Sequence, residues 1–317
     1  MSQHDEPARW SDTNRNRCLY VIGMHRSGTS AVTGLLFQMG LHGPAASDLV
    51  PASEANPRGN NESVTLNKFN NQLLRVLGGS WSAPPRLEPG WDIAPSLDEK
   101  RMEAARLSAA VFNPQPFVWK DPRNCILLPF WRSVLGPPVA AIYVTRDRFE
   151  VAGSLQARNG FTVTHGLALW ERYIRSSLLA LDGIPTLVLR YDELFESTSA
   201  WCRRLIDFLH AVGLDVDPAS ADRAAASLDA GLRHKRATST SDPRLAAGQL
   251  ELVELLERRS GAHSPWSAPA LTEEPGWVED VLAMRRSFEQ ILRERPLSQS
   301  LWARAQRRLA SSTARPG

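Results

Sequence analysis

At 317 residues, 43% of them hydrophobic, the chain is long enough for one large α/β domain or two smaller ones and has ample apolar material for a core. Its formal charge is only +3, and lysine occurs only at Lys68, Lys100, Lys120 and Lys235; arginines interleaved with acidic residues leave no long basic face, so nucleic acid is not an expected partner. Cys18, Cys125 and Cys202 lie far apart, and His25, His42, His165, His210, His234 and His263 show no ligand pairing four residues apart, which excludes a disulfide framework and predicts no metal site.

Residues 1–16 are polar, include acidic residues and lack the apolar stretch of a signal peptide; they read as a disordered leader. No later run of about 18 apolar residues suggests a membrane span, so a cytoplasmic protein without stable membrane insertion is expected. Residues 18–22 form a short apolar run of the kind found in buried parallel strands, and residues 31–39 carry apolar positions at helical spacing. Between them runs Gly23-Met24-His25-Arg26-Ser27-Gly28-Thr29-Ser30, a glycine-containing turn from strand to helix. Such a turn leaves unpaired N–H groups at a helix N-terminus, and their natural filler is an oxyanion. The spacing nearly matches the Walker A pattern, but Thr29 stands where that pattern has lysine and the cation comes earlier, at Arg26. This lowers the case for magnesium-nucleotide chemistry.

Residues 43–61, rich in Pro, Ala, Ser and Asn, predict a long surface loop, a length that is commonly functional. Helical spacing resumes over 62–77; an irregular stretch with Trp81, Trp91 and four prolines follows over 78–95, and 97–111 reads as helix. Strand-like runs at 117–119, 139–145 and 186–189 alternate with helical patterns at 125–134, 149–155 and 167–181, which predicts right-handed crossovers and a mainly parallel sheet. The strands end in Lys120-Asp121, Arg146-Asp147 and Arg190, at the edge where ligands sit in such sheets. From residue 199 the pattern is helical, over 201–212, 219–232, 245–259 and 278–292, with a linker-like break at 261–276.

Arg146 and Ser154 stand eight residues apart directly after a predicted strand, placed to present two anion-binding groups to the same edge as the first turn. Together with His25-Arg26-Ser27-Gly28-Thr29-Ser30 this pair resembles the signature of the sulfotransferases that use 3′-phosphoadenosine 5′-phosphosulfate (PAPS): a phosphosulfate-binding loop after the first strand and a later arginine and serine for the 3′-phosphate. The resemblance runs from about Cys18 to Leu194 and includes Trp119-Lys120-Asp121-Pro122-Arg123, similar to the family's K-D-P segment, and Arg190-Tyr191-Asp192-Glu193-Leu194. Residues 54–62, EANPRGNNE, resemble the N-P-x-G-x-x-E segment of bacterial and tyrosylprotein-type members. Arg148 departs from the family, where proline usually follows the R-[ND] pair.

The resemblance implies an α/β, P-loop-type three-layer fold with a central parallel sheet of four to five strands flanked by helices and a helical C-terminal region. Taken with the patterns above, the chain is expected to divide into a disordered leader over 1–16, a sulfotransferase α/β domain over 17–260 and a helical extension over 261–317 packed on the same domain. His25, Arg26, Ser27, Gly28, Thr29, Ser30, Arg146 and Ser154 would bind PAPS, with adenosine 3′,5′-bisphosphate as product and no metal. Arg26 and Lys120 would stabilise charge on the transferring group, and Glu62 would be the general base. Each has a plainer reading: Glu62 as a carboxylate favouring a helix start, Lys120 and Arg123 as a salt-bridged strand end. The expected activity is in-line transfer of a sulfonate to a hydroxyl or amine of a saccharide or specialised metabolite, with Trp81 and Trp91 as ring platforms. A P-loop small-molecule kinase and a non-catalytic nucleotide-binding protein are the alternatives.

Overall fold

The computed structural model describes residues 18–51, 59–112, 116–228 and 247–294. The expected leader at 1–16, residues 54–58 of the N-P-x-G segment and the tail beyond 294 lie outside those residues.

The centre is β1 (Cys18–Ile22), every residue of which is buried. Parallel to it on one side runs β2 (Phe117–Lys120), with Tyr20 level with Trp119, and on the other β3 (Ala140–Thr145), with Tyr20 level with Ala141. β4 (Thr186–Arg190) lies parallel to β3. Strands this uniformly apolar need cover on both faces, and helices supply it. Because side chains alternate along a strand, Cys18, Tyr20 and Ile22 join one core with the helices α2 (Val64–Val76), α4 (Asn124–Leu135) and α6 (Val163–Ala180). Leu19 and Val21 point the other way, into a second core with α1 (Thr29–Gln38), α8 (Thr198–Ala211) and α9 (Ser220–Ser227). The result is the expected three-layer α/β arrangement.

The strand order is β2-β1-β3-β4, continued beyond β4 by the short β5 (Gly261–His263). The chain leaves β1 toward β2 and leaves β3 in the opposite direction toward β4, which opens a crevice over the carboxyl ends of β1 and β3. α3 (Asp98–Val111) covers α2 and α4, and α5 (Arg148–Asn159) follows β3. A short α7 (Glu193–Glu196) follows β4, and α10 (Ala247–Arg258) and α11 (Gly276–Glu294) close the described chain.

Several elements differ from the sequence reading: α5, expected over 149–155, runs on to Asn159, and two further differences have identifiable causes. α6 begins at Val163, four residues before the apolar pattern at 167, because Thr162 caps it with a hydroxyl that accepts from the His165 N–H at 3.1 Å. Within the stretch read as a linker-like break, Gly261–His263 form β5, an antiparallel edge strand on β4. At three residues it is too short to show alternation, and its anchor is tertiary: the buried Trp266 donates its indole N–H to the Leu178 carbonyl at 3.0 Å. Trp266→Ala is therefore expected to lower the unfolding free energy by about 3–5 kcal/mol, read from the midpoint of urea unfolding.

Candidate active site

Between β1 and α1 the backbone turns through two positive φ angles, 70° at Arg26 and 91° at Gly28. Only glycine suits position 28, for a Cβ there would lie 2.0 Å from the ring of Tyr191. At Gly23 a Cβ would meet the Val144 carbonyl oxygen at 2.5 Å. The turn is thus pressed against the ends of β3 and β4. α2, α5 and α6 each begin with a side-chain cap, from Ser63, Asp147 and Thr162. α1 has none, and no acidic residue in its first turn. Its positive end, at Gly28, Thr29 and Ser30, lines a cleft of about 460 Å³.

The two segments singled out in the sequence meet here. The Arg26 guanidinium donates from Nε to Ser154 Oγ at 2.9 Å, and Arg146 donates from Nη1 to the Arg26 carbonyl at 3.0 Å. Arg146 also pairs with Glu150 at 2.8 Å and lies 4.8 Å from the centre of the Tyr191 ring. Arg158, a residue the sequence reading passed over, lines the same cleft from the last turn of α5, four residues after Ser154. That i, i+4 spacing was the available signal. Burial, with Arg158 and Arg146 as neighbours, lowers the pKa of Arg26. Such crowding of like charge is what a bound oxyanion would relieve.

On the other side of the turn, Lys120 at the end of β2 donates to Glu62 Oε1 at 2.5 Å, to the Asn60 carbonyl at 3.0 Å and to Ser30 Oγ at 3.1 Å. Glu62 sits one residue before the Ser63 cap, outside the helix, and turns its carboxylate to Lys120. Its second oxygen accepts from Asn67 at 2.6 Å, with Arg123 Nη1 at 3.7 Å. Asp121 faces away from the cleft: it accepts the backbone and side-chain N–H groups of Arg123, both at 2.9 Å, and the Asn70 amide at 2.9 Å. Burial works against the charge on Arg123, but Asp121 and Glu62 outweigh it and raise its pKa. Among the described residues, Glu62 is the one carboxylate lining the cleft, against Arg26, Lys120, Arg146 and Arg158.

His25 lines the cleft and packs against aromatic rings. Its ring lies 4.7 Å from that of Trp81 and 5.6 Å from that of Tyr173, and Nε2 is sealed in without a hydrogen-bond partner. Burial first, then the positive charges of Arg123, Lys120, Arg158 and Arg26, hold its pKa well below the usual 6.5. Ser27 is buried under the turn, its N–H donating to the Met24 carbonyl at 3.0 Å. Trp81 and Trp91, expected as ring platforms, both pack against the hydrophobic core, and neither lines the cleft. Arg190 pairs with Asp192 at 2.7 Å and borders a separate hollow of about 110 Å³, as does the buried Arg148. The departure at Arg148 therefore leaves the Arg146 contacts of the main cleft intact.

No family model and no curated protein matches the chain. Among solved structures it is similar to the sulfotransferase domain of the olefin synthase of Synechococcus PCC 7002, with 18% identity and a TM-score of 0.45 over 81% of this chain and 98% of that one. It is similar to the sulfotransferase STF1 of Mycobacterium tuberculosis H37Rv, with 17% identity and a TM-score of 0.45 over 77% and 76%. A third is retinol dehydratase in complex with androsterone and the inactive cofactor PAP, at 15% identity and a TM-score of 0.35 over 89% and 82%. Likenesses this distant assign no chemistry to the present cleft, whose own residues must carry it.

Gly28→Ala is expected to cost roughly 2–5 kcal/mol, combining a left-handed non-glycine residue with overpacking against Tyr191. Adding Tyr191→Leu should recover the packing part only, a partial return measurable by thermal unfolding.

Proposed function

We propose that this cleft binds PAPS and that the protein transfers its sulfonate to an acceptor hydroxyl or amine. The observation that carries the reading is the hydrogen-bonded chain Ser154–Arg26–Arg146, which joins two anion-binding segments at the uncapped start of α1. An adenosine bisphosphate has two separated anionic ends, and this side of the cleft has two adjoining sets of donors. The turn at residues 23–30 with Arg26 suits the 5′-phosphosulfate; Arg146, Ser154 and the nearby Arg158 suit the 3′-phosphate. ATP has no 3′-phosphate to occupy the second set. The sole lining carboxylate among the described residues, Glu62, is already engaged by Lys120, which makes a poor start for a magnesium-nucleotide site.

When bound, PAPS supplies an activated sulfonate with a phosphate leaving group. The chain supplies cations. Arg26 and the first-turn N–H groups of α1 neutralise the departing phosphate, while Lys120 lies across the turn, placed for the sulfonate oxygens. Glu62 holds Lys120 in that position and, as a carboxylate lining the cleft, is a candidate to receive the acceptor's proton. Since the cations do this work, the mechanism calls for no metal. The acceptor we favour is a saccharide or specialised metabolite, in the cytoplasm of a bacterium.

Adenosine 3′,5′-bisphosphate should raise the thermal midpoint strongly, whereas ATP with magnesium should not; the reverse order would favour a kinase. Isotope-labelled PAPS added with enzyme to a cell extract should yield a metabolite heavier by one sulfonate. Binding of the bisphosphate without any sulfonated product, across hydroxyl and amine acceptors, would favour the non-catalytic reading. Arg26→Ala and Lys120→Ala should each lower turnover about 10²–10³-fold, and Arg146→Ala should act mainly on bisphosphate affinity.

A further inference from the structure

An acceptor hydroxyl that attacks sulfur must give up a proton. Glu62 and His25 are the two candidates at the Lys120 end of the cleft. The Glu62 oxygens accept from Lys120 at 2.5 Å and Asn67 at 2.6 Å, with Arg123 at 3.7 Å. A proton on Glu62 would strip the buried Lys120 ammonium of its counter-charge, a costly change.

His25 has no such tie. Its imidazole lines the cleft, gripped between Trp81 and Tyr173, and no hydrogen bond engages the sealed Nε2. With Nε2 sealed inside, Nδ1 is the nitrogen left to a molecule in the cleft, and in the tautomer that serves as base the proton is on Nε2 and the lone pair on Nδ1. The groups acting on the ring come from every side: Arg26 from the turn, Lys120 and Arg123 from the end of β2, Arg158 from α5 and the buried phenol Tyr173 from α6. Burial and this positive field keep the ring neutral at pH 7, the form in which a base must start.

We infer that His25, rather than Glu62, accepts the proton of an acceptor hydroxyl, and that Glu62 positions Lys120. The inference rests on the sulfonate-transfer reading above. As the acceptor oxygen forms its bond to sulfur, the S–O bond to the 5′-phosphate breaks and its electron pair leaves with the phosphate, beside Arg26 and the start of α1. The hydroxyl proton passes to Nδ1, and the imidazolium later returns it to solvent.

The test compares His25→Gln, Glu62→Gln and His25→Ala, using the thermal shift given by adenosine 3′,5′-bisphosphate and transfer from PAPS to phenol between pH 5 and 9. All three variants should keep the nucleotide shift. His25→Gln should lose about 10²–10⁴-fold in turnover, and added imidazole should partly restore His25→Ala. In wild type the rate should fall on the acid side as the ring is protonated, below pH 6.5 because the pKa of His25 is lowered. Glu62→Gln should be slower yet keep that acid limb, and His25→Gln should lack it. Nitrogen NMR of histidine-labelled protein, with the His25 signal identified by its loss in His25→Gln, should show a neutral ring at pH 7 with the proton on Nε2. An imidazolium at pH 7, His25→Gln turnover within threefold of wild type, or an acid limb abolished by Glu62→Gln and kept by His25→Gln would each overturn the assignment. A wild-type protein that neither shifts with the bisphosphate nor transfers from PAPS would overturn the underlying reading as well.

Discussion

The cleft depends on a missing methyl group. Because Gly28 carries no side chain, the Tyr191 ring can press directly on the turn between β1 and α1, and Arg146 stacks on that same ring. One phenol therefore fixes three strand ends, those of β1, β3 and β4, relative to one another. The left-handed backbone at Arg26 and Gly28 follows from the tight curl this contact demands. With the turn held, the Arg26 carbonyl meets Arg146 and the Arg26 guanidinium meets Ser154. Local strain at the turn is thus offset by contacts from segments about 120 residues further along the chain.

Charge organises the cleft as strongly as shape does. Arg26, Arg146 and Arg158 crowd one side, where burial first, and then the charges of Arg158 and Arg146, lower the pKa of Arg26. On the other side Lys120 is buried but satisfied by three oxygens, and Glu62 supplies its counter-charge. The first arrangement is poised for an anion, whereas the second is self-contained until a ligand competes for Lys120. This asymmetry gives the cleft a direction, with the anion-seeking end beside β3 and the neutralised end beside β2.

That direction also separates what the sequence reveals from what it hides. β1, its turn and α1 were legible because strand, glycine turn and helix are contiguous, and the ends of β2 and β3 because a charged residue closes each apolar run. Arg146 and Ser154 were legible because a fixed spacing within one strand-to-helix junction places both. β5 was not, being three residues long and held by Trp266, whose indole bonds Leu178 of α6, rather than by a pattern of its own. Arg190 looked equivalent to Arg146 as a strand-end cation, yet Asp192, two residues on, draws it to the neighbouring hollow. His25 stood within the motif, but only the fold shows that its ring packs against Trp81 and Tyr173.

The wall that His25 joins is assembled from distant parts of the chain. Trp81 lies between His25 and Phe161, with ring centres 4.7 and 5.8 Å away, and Arg285 of α11 stands 5.2 Å from the Phe161 ring and 5.5 Å from that of the exposed Phe288. α11 is tied to the segment carrying Trp81 by Glu289, which accepts from Ser82 at 2.7 Å, and by Arg286, which donates to the Pro84 carbonyl at 2.8 Å. Glu279 accepts from Arg172 of α6 at 2.6 Å and also pairs with Arg286. Residues more than 200 positions apart thus set one surface, and no short motif can encode such a contact.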